Sequence, residues 1–250
     1  MGENLVSDFN AFDSDGNAFR DSGYNARGRR IPFTIRFWFK FGTTANCDFA
    51  FGPGWSVQVD GGNITIGAGG ITAHPLEAFS LTDWNYFVGG FDGDSFFAQL
   101  NASARALSLP VIATTLGPGF NLSVDWFFLG SGADPIPRLD EVALWKDRAL
   151  NESDAADDYN GGAGLDFSGV DRAGLLAYWE LEGVDGTDAG TLSDSLNGYP
   201  LARMDTGTPS TAKYGAGQFG EGLFNNGLSA SFFTGTKFQS TDSVFSFGDA

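Results

Sequence analysis

The chain has 250 residues, 42 % of them hydrophobic, with 25 Phe, 36 Gly and a formal net charge of −17 at pH 7. That apolar content excludes a disordered chain, and the acidic balance removes the basic face that non-specific nucleic-acid binding requires. One cysteine, Cys47, and one histidine, His74, leave no intramolecular disulfide, no histidine metal cluster and no Ser-His or Cys-His dyad to expect. No apolar run has the length of a transmembrane helix, and MGENLVSDFN lacks the basic and apolar regions of a secretory signal.

Residues 1–31 are polar and glycine-rich and predict an arm in front of a domain spanning 32–250. Arg20, Arg27, Arg29 and Arg30 concentrate positive charge there, which suits contact with an acidic neighbouring subunit. The run from Asp13 to Asn17 starts like a calcium loop. An EF-hand needs glycine at its sixth position and Glu at its twelfth, and Gly16 and Tyr24 break that pattern.

Phe33 to Phe41 is the clearest strand. Phe33, Ile35, Phe37, Phe39 and Phe41 alternate with Thr34, Arg36, Trp38 and Lys40, so one face is core. The other face makes Trp38 and Arg36 the candidate ligand-binding pair: an indole to stack on a pyranose and a guanidinium to hydrogen-bond its hydroxyls. Covering of both faces, with Trp38 packed under a loop or arm, is the competing expectation. Trp55–Val59 and Ile64–Ile66 predict a hairpin around Gly61-Gly62. Trp84–Phe91 and Ser95–Leu100 predict another around Asp92-Gly93. Val124–Leu129 predicts a further strand, and 130–137 a loop.

Leu139 to Trp145 is a strand by composition. Asn151 then reads as an N-cap, with Glu152 and Asp154 where the helix dipole favours negative charge. Leu150 is placed to pack back as a hydrophobic staple, and Asn160-Gly161-Gly162 ends the helix. Leu175–Leu181, Gln218–Phe224, Ala230–Phe233 and Ser243–Phe247 predict strands between turns. Many short strands with one short helix near 151–160 predict an all-β fold, a two-sheet antiparallel β-sandwich of jelly-roll type.

FTIRFWFKF, LTDWNYFVGGFDG, FAQLNASA and FFLGS lead, in that order, into LDEVALWKDRALNESDAADDYNGG. Together they resemble a laminin-G-like domain of the concanavalin A-like lectin/glucanase group, over Phe33 to Gly164. The elements that usually open such domains, LLAYWELEG, DSLNG and GQFGEGLFNNG, follow here at 175–227. That order implies a circular permutation in which 172–250 supplies the opening strands. The alternatives are the start of a second repeat or strands lent to a neighbouring subunit.

The resemblance implies Ca2+ at the sandwich rim, held by Asp140, Asp194 and Asn197 through the oxygen ligands a hard cation takes. Enzymes of the group resemble an E-x-D-x-E strand. Only Glu180 and Glu182 approach it, with Val184 in the third place, so no catalytic activity is expected. The functions implied are a non-catalytic glycan-binding or adhesion module on a virion surface or extracellular surface, or a phage capsid decoration or tail protein. Partners would be glycans or neighbouring subunits of a larger assembly or homo-oligomer, without nucleic acid or membrane insertion. A glycoside hydrolase is the weakest of the implied functions.

Overall fold

A computed structural model of the chain describes residues 32–41, 47–52, 55–60, 62–68, 70–110, 126–129, 138–165, 168–187, 189–204, 212–225 and 236–239. Among these, two antiparallel sheets form a β-sandwich. The strands are β1 (Phe33–Lys40), β2 (Cys47–Gly52), β3 (Trp55–Asp60), β4 (Asn63–Ala68), β5 (Ile71–Ala73), β6 (Asn85–Phe91), β7 (Phe96–Leu100) and β8 (Ala106–Leu107). They continue as β9 (Trp126–Leu129), β10 (Arg138–Lys146), β11 (Leu175–Trp179), β12 (Ala202–Met204), β13 (Ala212–Ala216), β14 (Glu221–Asn225) and β15 (Thr236–Gln239). One helix, α1 (Glu152–Tyr159), follows β10.

The eight-stranded sheet has the order β13-β14-β10-β1-β6-β7-β8, with β11 also on β10. The seven-stranded sheet has the order β12-β15-β9-β2-β3-β4-β5. β1 is the hub of the larger sheet, flanked by β10 and β6. The other edge of β10 is shared: β14 pairs at Arg138 and Leu139, and β11 pairs from Val142 to Trp145.

Period-two alternation decides the core. Phe33, Ile35, Phe37 and Phe39 of β1 pack between the sheets with Phe87 and Phe91 of β6, Phe96 of β7, Val57 and Ile66. Complete burial of each such side chain stabilises the fold by about 1.5–3 kcal/mol. β6 carries Gly90 where it crosses β1, because a Cβ there would overlap the Phe33 carbonyl.

The expected hairpins form at 55–68 and 85–100. The strand expected over 218–224 is displaced. Residues 218–220 make a bend, with Gly220 at φ 51, and β14 begins at Glu221 to pair with β13. Ala230–Phe233, Ser243–Phe247, the 130–137 loop and the arm arginines Arg20, Arg27, Arg29 and Arg30 lie outside the described residues.

Candidate functional site

The chemistry-bearing side chains gather on the outer face of the eight-stranded sheet, beneath α1. That face holds Thr34, Arg36 and Trp38 of β1, Tyr86 and Val88 of β6, Phe97 and Gln99 of β7, and Tyr178 of β11. All are buried.

Local sequence sets the cover. Asn151 caps α1: its Oδ1 accepts from the Asp154 amide at 2.9 Å, and Asp154 Oδ2 accepts from the Asn151 amide at 3.3 Å. This is a reciprocal capping box with Asp in the place usually taken by Glu. Asn160 stands in the left-handed region at φ 47 and closes the helix. Thr34 fixes the entry, its hydroxyl donating to the Arg148 carbonyl at 3.0 Å and accepting from the Leu150 amide at 2.9 Å. Leu150 is buried against Trp145, Leu175 and Tyr178.

Trp38 is 1 % exposed. Tyr159 of α1 stacks on it at 5.9 Å between centroids, Tyr86 lies at 5.1 Å, and Phe219 meets it edge-on at 6.3 Å. The expectation that Trp38 and Arg36 present an open sugar platform is therefore corrected. An indole walled in by three rings offers no face to a pyranose, and the competing expectation, burial under a cover, is the observed one.

Arg36 is fully buried. Its Nε pairs with Asp158 Oδ2 of α1 at 3.2 Å, and its Nη2 donates to the Tyr178 hydroxyl at 2.8 Å. The guanidinium also lies 5.0 Å from the Tyr178 ring centroid. The Tyr86 hydroxyl donates to Asp158 Oδ2, and the Tyr178 hydroxyl donates to Glu141 Oε2. One cation thus connects to two carboxyl groups, directly to Asp158 and through Tyr178 to Glu141. Burial pushes Glu141 up to about 9, with Asp140 adding to the shift. Burial also raises Asp158, against the opposing pull of Arg36 and Tyr86. The Tyr86 hydroxyl is raised well above its ordinary value by burial and then by Asp158.

Strand alternation predicts that Asp140 and Glu141 point to opposite faces. They do not. The β1–β10 register shifts between Arg36 and Trp38, and Glu141 adopts φ 53. This bulge puts an extra residue on β10 and re-aims both side chains. Asp140 Oδ2 accepts from the amides of Gln218 and Phe219 at 2.7 and 2.9 Å, while Glu141 reaches Tyr178. Burial pushes Asp140 up to about 8 despite those amide bonds.

The implied calcium ligands do not converge, and that expectation is corrected as well. Asp194 accepts from the amides of Tyr178, Leu196, Asn197 and Tyr199 at 2.8 to 3.0 Å, capping the free edge of β11. Asn197 donates to the Leu176 carbonyl at 2.8 Å. Asp140 lies on β10, three residues from Ala143, the partner of Tyr178. Across the bulge those residues span two strand steps of β1, from Trp38 to Arg36, roughly 7 Å along the sheet, and its own amide partners, Gln218 and Phe219, are in the 218–220 bend. Among the described residues, no group of three or more His, Cys, Asp or Glu is placed to hold a metal. Glu180 and Glu182 lie at the diverging end of β11, where Glu182 Oε2 accepts from the Glu221 amide at 3.1 Å.

Sequence reasoning missed Asp158, Tyr86 and Tyr178 as members of this network. Asp158 had a visible signal, because it falls with Ala155 and Tyr159 on the one apolar side of α1.

No protein-family model matches the chain, and no curated protein matches it. Among solved structures, the chain is similar in fold to a candidate carbohydrate-binding protein from Bacteroides ovatus, at 13 % identity and a TM-score of 0.46. The match covers 78 % of this chain and 52 % of that one, so the chain spans about half the length of that protein. A second similarity is to a receptor binding domain, at 7 % identity and a TM-score of 0.25, over 88 % of this chain and 79 % of the other.

Proposed function

We propose that the chain is a non-catalytic binding module of laminin-G-like type, circularly permuted, that recognises a glycan on a particle or cell surface. One observation supports the non-catalytic part of the reading. Among the described residues, the carboxyl groups of Asp140, Glu141 and Asp158 at the outer face of the large sheet are buried, and each engages an internal partner. A glycosidase needs two carboxyl groups flanking an accessible bond, and these three are sealed under α1 and the 217–220 bend. The permutation is supported by pairing: β11 and β14, whose sequences resemble the family's opening elements, lie beside β10, which resembles its closing strand.

The test is a glycan array probed with the purified chain, followed by incubation with each bound glycan. Specific binding without turnover is the expected result. Hydrolysis of a bound β-glucan would overturn the non-catalytic reading. A silent array would overturn the glycan reading, and regular multimers in that case would make a neighbouring subunit the ligand.

A further inference from the structure

The buried network beneath α1 has an unequal count of charges. Arg36 is the cation; Asp158 pairs with it directly, and Glu141 is joined to it through the Tyr178 hydroxyl. All three side chains are buried. A net charge at such depth is costly, so, with the buried Asp140 keeping its proton to about 8, the closed arrangement is neutral only while Asp158 and Glu141 hold one proton between them.

The acids sit on different kinds of element. Glu141 belongs to β10, held in the sheet by β1 and β11. Asp158 belongs to a helix of eight residues, of which Ala155 and Asp158 are buried. That helix leaves through Asn160, Gly161, Gly162 and Gly164, all at positive φ. A helix so short gains little stability by itself and depends on its contacts. When the shared proton leaves, Arg36 and Glu141 neutralise each other within the sheet. Asp158 then becomes the surplus charge, on the element most able to carry it into water.

We propose that α1 is a proton-linked cover: loss of the one proton shared by Asp158 and Glu141 frees Asp158 from Arg36 and lifts α1 from the outer face of the large sheet.

The other groups facing the network fit this assignment. Tyr86 of β6 and Tyr178 of β11 supply hydroxyls, and burial raises the Tyr86 hydroxyl well above its ordinary value. Gln99 of β7 is neutral. Glu180 and Glu182 beyond β11, and Asp140 of β10 once it ionises near 8, add negative potential at Glu141 and favour retention of the proton. Arg105 lies over the Phe97 ring at 4.3 Å and gives its Nη1 proton to the Leu150 carbonyl, so it serves the start of the helix rather than Asp158. Arg148 is paired with Asp154 and Asp171. The upward shifts at both Asp158 and Glu141 agree with a proton that is kept on closing and released on opening. Lifting α1 uncovers Trp38, Tyr86 and Arg36.

Hydrogen exchange of the full chain, measured from pH 6 to 9 and corrected for intrinsic rates, reads the cover directly. One proton released on opening makes the opening constant rise about tenfold per pH unit. Protection of the 152–159 amides should fall at that slope, while β6 amides keep theirs. Asp158→Asn and Glu141→Gln each remove one acid and leave a neutral network without a proton, so in both variants the slope should vanish. A flat profile in the wild type overturns the proposal, as does a tenfold slope retained in either variant. Each variant alone suffices if the other fails to fold.

Discussion

Trp38→Ala separates an internal wall from a ligand platform. The indole is 1 % exposed and contacts rings from three different segments: Tyr86 of β6, Tyr159 of α1 and Phe219 of the 217–220 bend. Truncation leaves a cavity those rings cannot all close, because Tyr86 is fixed in the β1 register and Phe219 by its amide bond to Asp140. Buried aromatic-to-alanine changes cost about 3–5 kcal/mol. A domain of this size moves by about 2–4 °C per kcal/mol, so the melting midpoint should drop by roughly 10 °C. The assay is thermal and urea unfolding followed by circular dichroism, with Trp38→Phe beside it. Trp38 Nε1 has no hydrogen-bond partner among the described residues, so phenylalanine loses packing volume alone and should cost about 1–2 kcal/mol. A Trp38→Ala protein within 0.5 kcal/mol of wild type would refute the reasoning, since about ±0.5 kcal/mol is what an exposed side chain gives.

Asp140 makes stability fall as pH rises. An unfolded Asp ionises near 3.8, whereas the folded one keeps its proton to about 8. Between those values the folded state binds more protons, so this residue costs up to about 1.4 kcal/mol for each pH unit gained. Asp140→Asn still accepts the Gln218 and Phe219 amides and should flatten that slope in denaturant titrations from pH 5 to 8; an unchanged slope contradicts the assignment. Asp194→Ala strips an acceptor from four amides and should cost at least about 2 kcal/mol by urea unfolding, with added calcium leaving the wild-type midpoint unmoved. Gly90→Ala forces a methyl group into the Phe33 carbonyl at the β1–β6 crossing. It should leave little folded protein by circular dichroism, and a native-like melt would show that the strands can separate there.

The sandwich was legible because β1 alternates without interruption and the turns at 60–63 and 91–96 carry glycine. The helix was legible from its cap, since Asn151 and Asp154 bond as their spacing suggests. β2, β5, β8, β12, β13 and β15 were not identified; β5, β8 and β12 have two or three residues each, and strands so short are imposed by pairing partners more than by local preference. The site was only half legible. Trp38 and Arg36 were found because they break the apolar pattern of β1, but alternation cannot say whether the second face of a strand meets water or another layer. Glu141 was misplaced because a bulge obeys no period. It follows from fitting β10 between β1 on one edge and both β14 and β11 on the other.

Hydroxyl-radical footprinting at neutral pH, read by mass spectrometry, tests the sealed outer face most directly. Trp38, Tyr86 and Tyr178 should remain unmodified while the half-exposed Trp84, Tyr159 and Phe219 react. Oxidation of Trp38 at the rate of Trp84 would contradict the account and return Trp38 and Arg36 to the surface as a binding face.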